Sequence, residues 1–452
     1  MESGSTPDED GRGWLAAPEA AARLGVKLDS LYAYVSRGLL TRHRRPGERG
    51  SFFDPSEIDR LGSRGRGGQR EAREVRIESA VTAIEDGRYF YRGLDPVALA
   101  RERSFEEVAE LLWLGELPGG PVAWTADPSA VAIARSAQRV LPATALAFDR
   151  LRLATAALAG ADPFRHDLRR DAVASAGRRL LASLVESLPP RRAATARSEP
   201  GVLARRLWDR IASRAPGAAQ VAAIDGALVL LADHELAAST FAVRIAAAFR
   251  ADPYGAVGAG FGVLGGAWHG AVSVAAEALL AEIDGAGGVA PVVDRQLRSG
   301  ARLPGIGHPL YRDGDPRAPA LLDLVRTSDG DVKRIAQVEA FLAATRERGL
   351  PPPNVDLGIA ALTHVLRLPH GTGELLFALA RIAGWLAHAI EEYEQPSALR
   401  PRAVYTGPRP GAPLIERRRS AAGDEPRARR SKPPRKERAK APSRPRSPKS
   451  RR

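Results

Sequence analysis

Apolar residues recur at helical spacing over most of this chain. Ser104-Phe105-Glu106-Glu107 predicts a capping box, and Val108, Leu111 and Leu112 behind it share one helical face. Ile359, Leu362, Val365 and Leu366 repeat the spacing. β-Branched alternation is scarce from Ile77 to Gly407, which predicts a mainly α body without an internal repeat of 20–50 residues. One uncharged stretch, Pro253 to Ala276, is long enough to span a bilayer, but it holds seven glycines and His269. A spanning helix is dominated by large apolar residues, so this stretch is expected to be buried core, with no membrane segment.

A shorter pattern precedes the body, over residues 13–61. Pro18 to Leu24 predicts a helix with Pro18 in its first turn, and Gly25-Val26 a turn. A second helix follows, with Asp29 or Ser30 as N-cap and Leu31, Val35 and Tyr32 or Tyr34 facing inward, ending at Gly38. Arg42 to Arg45 and Ser51 to Phe53 predict two strands around a Pro-Gly turn, and Asp54-Pro55-Ser56-Glu57 opens a closing helix. This order resembles the small winged helix-turn-helix modules of the MerR and excisionase type. Lys27, Ser30, Tyr34 and Arg37 fall on or near the second helix, where base edges or phosphates would be met, and Arg44 belongs to a basic hairpin suited to the DNA backbone. A docking module with merely solvated arginines would have the same pattern.

Charge sharpens the boundaries. The 452 residues carry a formal charge of +14, yet Glu416 to Arg452 alone contributes +12. The basic balance therefore belongs to a Pro/Arg-rich tail, residues 408–452, with too few large apolar groups to offset the entropy of ordering. It is expected to be disordered, as a nucleic-acid arm or a solvated extension. Residues 62–76, with Gly62-Ser63-Arg64-Gly65-Arg66-Gly67-Gly68, predict a flexible linker. The chain has no cysteine, which excludes disulfides, thiolate metal sites and cysteine nucleophiles. The acidic stretch Met1 to Gly13 is unlike a signal peptide, and a cytoplasmic protein is expected.

Three of the eight histidines sit in short, distinctive contexts: Asp233-His234-Glu235, Trp268-His269-Gly270 and Gly307-His308-Pro309. Asn354-Val355-Asp356 follows. Imidazoles with a carboxylate and several arginines suit carbonyl polarisation and proton abstraction on an anionic substrate. Metal binding competes only weakly, because no His-x-x-x-His or Glu-x-x-His spacing occurs among these residues.

From about residue 78 to 407 the motifs, taken together, resemble the citrate synthase family. Ile84-Glu85-Asp86-Gly87 with Tyr91-Arg92-Gly93, and Ser104 to Ala109 through Gly115-Glu116-Leu117-Pro118, resemble the family's opening segment. Ala232 to Glu235 with Ala238-Ser239-Thr240, and Gly307-His308 with Asp315-Pro316-Arg317, resemble its histidine motifs. Asn354-Val355-Asp356, Arg381 to Trp385, and Arg400-Pro401-Arg402 with Tyr405-Thr406-Gly407 follow in family order.

The resemblance implies a two-domain helical fold over residues 77–407, a homodimer, and condensation of acetyl-CoA with oxaloacetate to citrate and CoA. A 2-methylcitrate synthase activity is compatible with it, and acyl-CoA is then a co-substrate with no permanently bound cofactor. By resemblance Asp356 takes the α-proton, His269 holds the thioester oxygen and His308 polarises the ketone. His234, Arg317, Arg381 and a cross-dimer Arg400 hold oxaloacetate, and Arg312 contacts CoA. His269-Gly270-Ala271-Val272-Ser273 departs from the family's His-Gly-Gly-Ala-Asn, Trp268 replaces a smaller residue, and Pro309 stands where Arg is common. These changes bear on the acyl pocket. A reading of another class is a DNA-binding regulator that uses this fold to sense oxaloacetate or an acyl-CoA.

Overall fold

A computed structural model describes residues 14–24, 26–36, 39–44, 50–58, 77–191, 202–266, 271–286, 288–311, 313–396 and 399. The linker 62–76, the tail, His269, Arg312, Arg400 and Arg37 lie outside the described residues.

In the N-terminal module, helices Ala17–Leu24 and Leu28–Ser36 pack on each other. Pro18 falls in the first turn, as expected. The second helix starts two or three residues earlier than the caps predict, so Asp29 and Ser30 lie inside its first turn. The Lys27 carbonyl accepts from the Ser30 and Leu31 N–H groups at 2.9 and 3.2 Å, closing that turn without a side-chain cap. Phe52 and His43 exchange backbone hydrogen bonds at 2.9 and 3.0 Å, as the expected hairpin requires. Phe52–Phe53 also pairs antiparallel with Leu15–Ala16, a strand the helix-centred pattern did not predict. Leu31, Leu40, Phe53 and Ile58 form a small core with Ala20, and Tyr34 packs against it.

Among the described residues the body is helical, with one strand pair. Thr82–Glu85 and Arg88–Tyr91 form a hairpin around Asp86-Gly87, both at positive φ (49° and 72°). Two central residues at positive φ match the twist of paired strands, and Asp-Gly is favoured there. The Ser104–Glu107 capping box forms: Ser104 Oγ accepts from the Glu107 N–H at 3.3 Å, and Glu107 Oε2 accepts from the Ser104 N–H at 2.8 Å.

Helix Thr372–Glu394 is the axis of the body. Among the described residues it alone is long and apolar enough to span a bilayer, and it is buried within the protein. It packs against helices Phe105–Leu114, Arg170–Ser187, Ala218–Leu231, Ala238–Ala248 and Pro253–Leu264. The uncharged stretch Pro253–Ala276 therefore contains a core helix and the start of the next, Ala271–Ala286. Two further helices, Arg317–Thr327 and Val355–Val365, pack against each other. One continuous buried cluster runs from Val81 to Tyr393.

A single carboxylate ties three helices. Glu277, on Ala271–Ala286, accepts from the Gly371 and Gly373 N–H groups at 2.6 and 2.7 Å and from Thr363 Oγ1 at 3.2 Å. It thereby caps the positive end of the long helix and holds the Val355–Val365 helix to it.

Candidate active site

Three segments converge. The first is the turn at Asp233-His234-Glu235, between helices Ala218–Leu231 and Ala238–Ala248. The long helix reaches it with one stripe, Arg381, Gly384 and His388, spaced at three and four residues. Contact is close. The Gly384 N–H donates to the Ala232 carbonyl at 3.0 Å, and a Cβ on Gly384 would sit 2.2 Å from Asp233 Oδ1. Only glycine permits that approach.

The turn is held by a buried polar network. Tyr91 Oη donates to the Asp233 carbonyl and accepts from the Asp233 N–H, both at 3.0 Å. Asp233 Oδ2 accepts from Thr82 Oγ1 at 2.6 Å and lies 3.3 Å from His388 Nε2. On its other side His388 Nδ1 lies 2.9 Å from Arg244 Nη1, and Arg244 pairs with Glu391 and Glu392 at 2.7 and 2.6 Å. Burial pushes the Asp233 carboxyl up, but His388 and Arg381 outweigh it and hold it below the usual carboxylate range.

The second segment is the loop Gly305 to Arg317. The third is the start of helix Val355–Val365, capped by Asn354, whose Oδ1 accepts from the Asp356 N–H at 2.9 Å. These two are stitched together. The Asn354 N–H donates to the Gly305 carbonyl at 2.9 Å, Asn354 Nδ2 to the Gly307 carbonyl at 2.8 Å, and the Gly307 N–H to the Pro352 carbonyl at 2.8 Å. Gly305 sits at φ +79°, and a Cβ there would meet Leu357 at 2.7 Å. Asp315 anchors the loop: it takes the Arg317 guanidinium through two bonds, 2.9 and 2.8 Å, and accepts from the Val355 N–H at 2.9 Å.

The side chains these segments present include two imidazoles, two buried guanidinium groups and one carboxylate. The ring centroids of His234 and His308 lie 6.1 Å apart. His308 Nδ1 accepts from the Leu310 N–H at 3.1 Å, so the neutral ring carries its proton on Nε2, 3.5 Å from Arg317 Nη2. Two donors this close can converge on one acceptor placed to the side of both. His234 Nε2 lies 2.7 Å from Tyr311 Oη. Burial, with the Arg317 and Arg381 charges, holds His234 well below the usual imidazole range. Burial and Arg317 lower His308 as well. Both are neutral near pH 7 and can donate a hydrogen bond without carrying charge.

Arg381 is buried, with Nε bonded to the Leu231 carbonyl at 2.9 Å and Nη2 bonded to nothing among the described residues. Burial lowers it to about 10, with Asp233 opposing. A buried donor without an acceptor costs about 1–3 kcal/mol, more when charged, which an anionic ligand would recover. Asp356 is the counterpart. Its carboxylate has no hydrogen-bond partner among the described residues, and burial raises it to about 7 despite Arg317. That is the range of a general base.

The structure thus brings together His234, His308, Arg317, Arg381 and Asp356 of the residues singled out in the sequence. His269, Arg312 and Arg400 lie outside the described residues. Sequence reasoning quoted Asp233 and Asp315 within motifs without giving them a role, and gave none to Tyr311 or His388. Asp315 was visible as the carboxylate two residues before Arg317. His388 had only its seven-residue spacing from Arg381 as a signal. In the N-terminal module Lys27 and Arg44 are exposed, Ser30 is half-buried and Tyr34 leans on the core. Tyr32 is the more open ring, with the Arg42 guanidinium 5.9 Å from its centroid.

The family model described as citrate synthase, C-terminal domain, matches residues 72–402. The chain is 31% identical over 355 residues to citrate synthase 2 of Bacillus subtilis, covering 74% of this chain and 94% of that one. It is 29% identical over 357 residues to 2-methylcitrate synthase 1 of Corynebacterium glutamicum, covering 72% and 92%. The citrate synthase structure from Thermotoga maritima superposes with a TM-score of 0.60 at 25% identity, covering 75% and 96%. That of Thermoplasma acidophilum, a ternary complex with carboxymethyl coenzyme A and oxaloacetate, shares the fold at TM-score 0.59 and 24% identity, covering 78% and 99%.

Proposed function

This chain belongs to the citrate synthase family, as an acyltransferase that converts the acyl group to alkyl on transfer, and we propose that it condenses acetyl-CoA with oxaloacetate to give citrate and CoA. Propionyl-CoA, giving 2-methylcitrate, is the alternative donor, since relatives of both names match at similar identity. The observation that carries the reading is the unpartnered, buried Nη2 of Arg381 beside two neutral imidazoles. A small dicarboxylate with a ketone would satisfy all three.

Asp356 takes a proton from the acyl α-carbon. His269, by its motif, hydrogen-bonds the thioester oxygen as charge develops there. His308 donates through Nε2 to the ketone oxygen while the α-carbon attacks the ketone carbon, and that oxygen ends protonated. Water then cleaves the thioester and CoA leaves. His234, Arg317 and Arg381 hold the carboxylates, guanidinium suiting that task. Arg400 from a dimer partner completes the set, and Arg312 contacts CoA. Removing a weakly acidic α-proton needs an aligned base and a stabilised oxyanion together, and this assignment supplies both.

Release of CoA, followed with a thiol-reactive dye, tests the reading; the chain contributes no thiol background because it has no cysteine. Steady turnover that collapses in Asp356→Ala and His269→Ala is expected, and the ratio of acetyl to propionyl rates names the donor. A protein that binds oxaloacetate yet releases no CoA from either donor would sink the synthase and leave a sensor.

The module at residues 13–61 supports a second function, DNA binding, on the observation that its helix pair and strands share a core of their own. Lys27, Ser30, Arg37 and Arg44 then contact DNA, with Tyr34 limited to its exposed edge. Residues 62–76 serve as linker to the catalytic body at 77–407, and the tail at 408–452 as an accessory basic arm. Retention of a specific duplex at moderate salt is the test. Binding that disappears with salt reflects the tail alone.

A further inference from the structure

A cavity of about 500 Å³ opens beside the first turn of helix Ala147–Ala161 and beside the Pro369-His370 turn that enters the long helix. Its lining includes Arg150, Arg191, Arg210 and His370 and, among the described residues, no carboxylate. It shares no lining residue with the His234–His308–Asp356 cluster.

Arg210 is nine-tenths buried. It pairs with Glu186 through Nη2 and donates Nη1 to the Leu188 carbonyl at 3.3 Å, but its Nε is buried with no partner. Arg150 gives Nη2 to the Pro142 carbonyl at 3.2 Å and keeps the rest of its guanidinium; Arg191 is exposed. Helix Ala147–Ala161 has Leu146 at its N-cap and no side-chain cap, so its first N–H groups are open to an acceptor. Asp149 lies in that first turn and the Asp209 carbonyl accepts from the Arg191 N–H at 3.2 Å, but neither is among the described lining residues, and the other nearby carboxylates are paired. Glu186 faces Arg210 and, at 3.9 Å, Arg206. Glu277, 3.3 Å from His370 Nδ1, is spent on the Gly371 and Gly373 N–H groups. Arg150 and Arg191 leave the cavity positive.

We propose that this cavity is a binding site for a phosphorylated organic anion, its phosphates held by Arg150, Arg191 and the open helix turn. An apolar or heterocyclic part fits against Leu146, Leu188, Ile211 and Leu375. Guanidinium forks and open helix N-termini are the groups that recognise phosphate. Thr372 also lines the cavity and begins the helix that carries Arg381 nine residues on, about 14 Å along the axis. An occupant would touch the same rigid element that presents Arg381.

Calorimetric titration of the full chain with inorganic tripolyphosphate tests this. One site per chain is expected, weakened at least tenfold in R150A/R191A and in Arg191→Glu alone, while oxaloacetate binding and CoA release at saturating acyl-CoA stay at the parent level. A parent protein that does not bind tripolyphosphate, or variants that bind it as tightly, would overturn the site. A further arm identifies the source of the phosphate. Displacement of tripolyphosphate by CoA, with a raised acyl-CoA KM in R150A/R191A, assigns the cavity to the coenzyme's own phosphates. Simultaneous binding of both assigns it to a separate phosphorylated metabolite.

Discussion

The two halves of the candidate site are built on opposite plans. Around Asp233 and Arg317 most polar atoms are bonded: Asp315 holds Arg317 through two bonds, and Asp233 Oδ2 sits among Thr82, His388 and the Glu235 N–H, while Arg381 Nη2 and Asp233 Oδ1 have no partner among the described residues. Asp356, at the other side, has a capped backbone and an unbonded carboxylate. The difference follows from the work each does. Charges that bind an anion gain from being fixed before it arrives, because reorganisation is then not charged to binding. A base that must collect a proton is weakened by every hydrogen bond its carboxylate accepts, since each lowers its pKa.

The largest effect is expected where the bonded half depends on a missing side chain. Gly384→Ala places a methyl against Asp233 Oδ1 and the Ala232 carbonyl, 2.5 Å away, in a core with no room to yield. Destabilisation of about 3 kcal/mol or more is expected, read as a lower denaturation midpoint. Next, Asp356→Asn should lower turnover about 10³-fold, as loss of a general base does, while oxaloacetate affinity measured by calorimetry stays within a factor of about two. If affinity falls as far as turnover, the two halves are not separable and the comparison fails.

Arg317→Lys keeps the charge but loses the two-bond geometry to Asp315. About 2 kcal/mol, on the order of a 30-fold rise in oxaloacetate KM, is expected, with kcat changed less. The pH dependence follows from Asp356. Its carboxyl is raised to about 7 in the folded chain, and only the ionised form can accept a proton, so activity should rise through pH 7 and fall below it. Stability runs the other way. The folded state favours protonated Asp356, a contribution present at low pH and lost as pH rises through about 7. Asp356→Asn should therefore melt above the parent at pH 8, less so at pH 5, and level with it only below about pH 4, where the carboxyl is protonated in the unfolded chain too. The smallest expected effect is in CoA release on removal of residues 1–61, whose core is separate from that of the body.

Much of this was legible in the sequence for identifiable reasons. The capping box at Ser104, the helix after Asn354 and the residues His234, His308, Arg317, Arg381 and Asp356 were carried by local spacing or motif. The hairpin Thr82–Tyr91 went unread although Asp86-Gly87 is a strong turn signal, because the surrounding apolar pattern was judged by its helical period. The strand Leu15–Ala16 is too short to show a period of two. The His388–Arg244–Glu392 network escaped because Arg244 lies about 150 positions from the other two and each, alone, looks like an ordinary residue of a core helix. Periodicity reports which face is buried, not what a buried polar group meets there.

The stitching between Gly305–Gly307 and Pro352–Asn354 has an evolutionary consequence. His308 and Asp356 are far apart in the chain, yet their loops share backbone hydrogen bonds and a glycine seated against Leu357. They are inherited, in effect, as one part. A chimera that takes residues 303–317 from a relative and leaves 351–357 behind would join mismatched backbones at the centre of the chemistry. Exchange of either segment between family members should succeed only when the other travels with it.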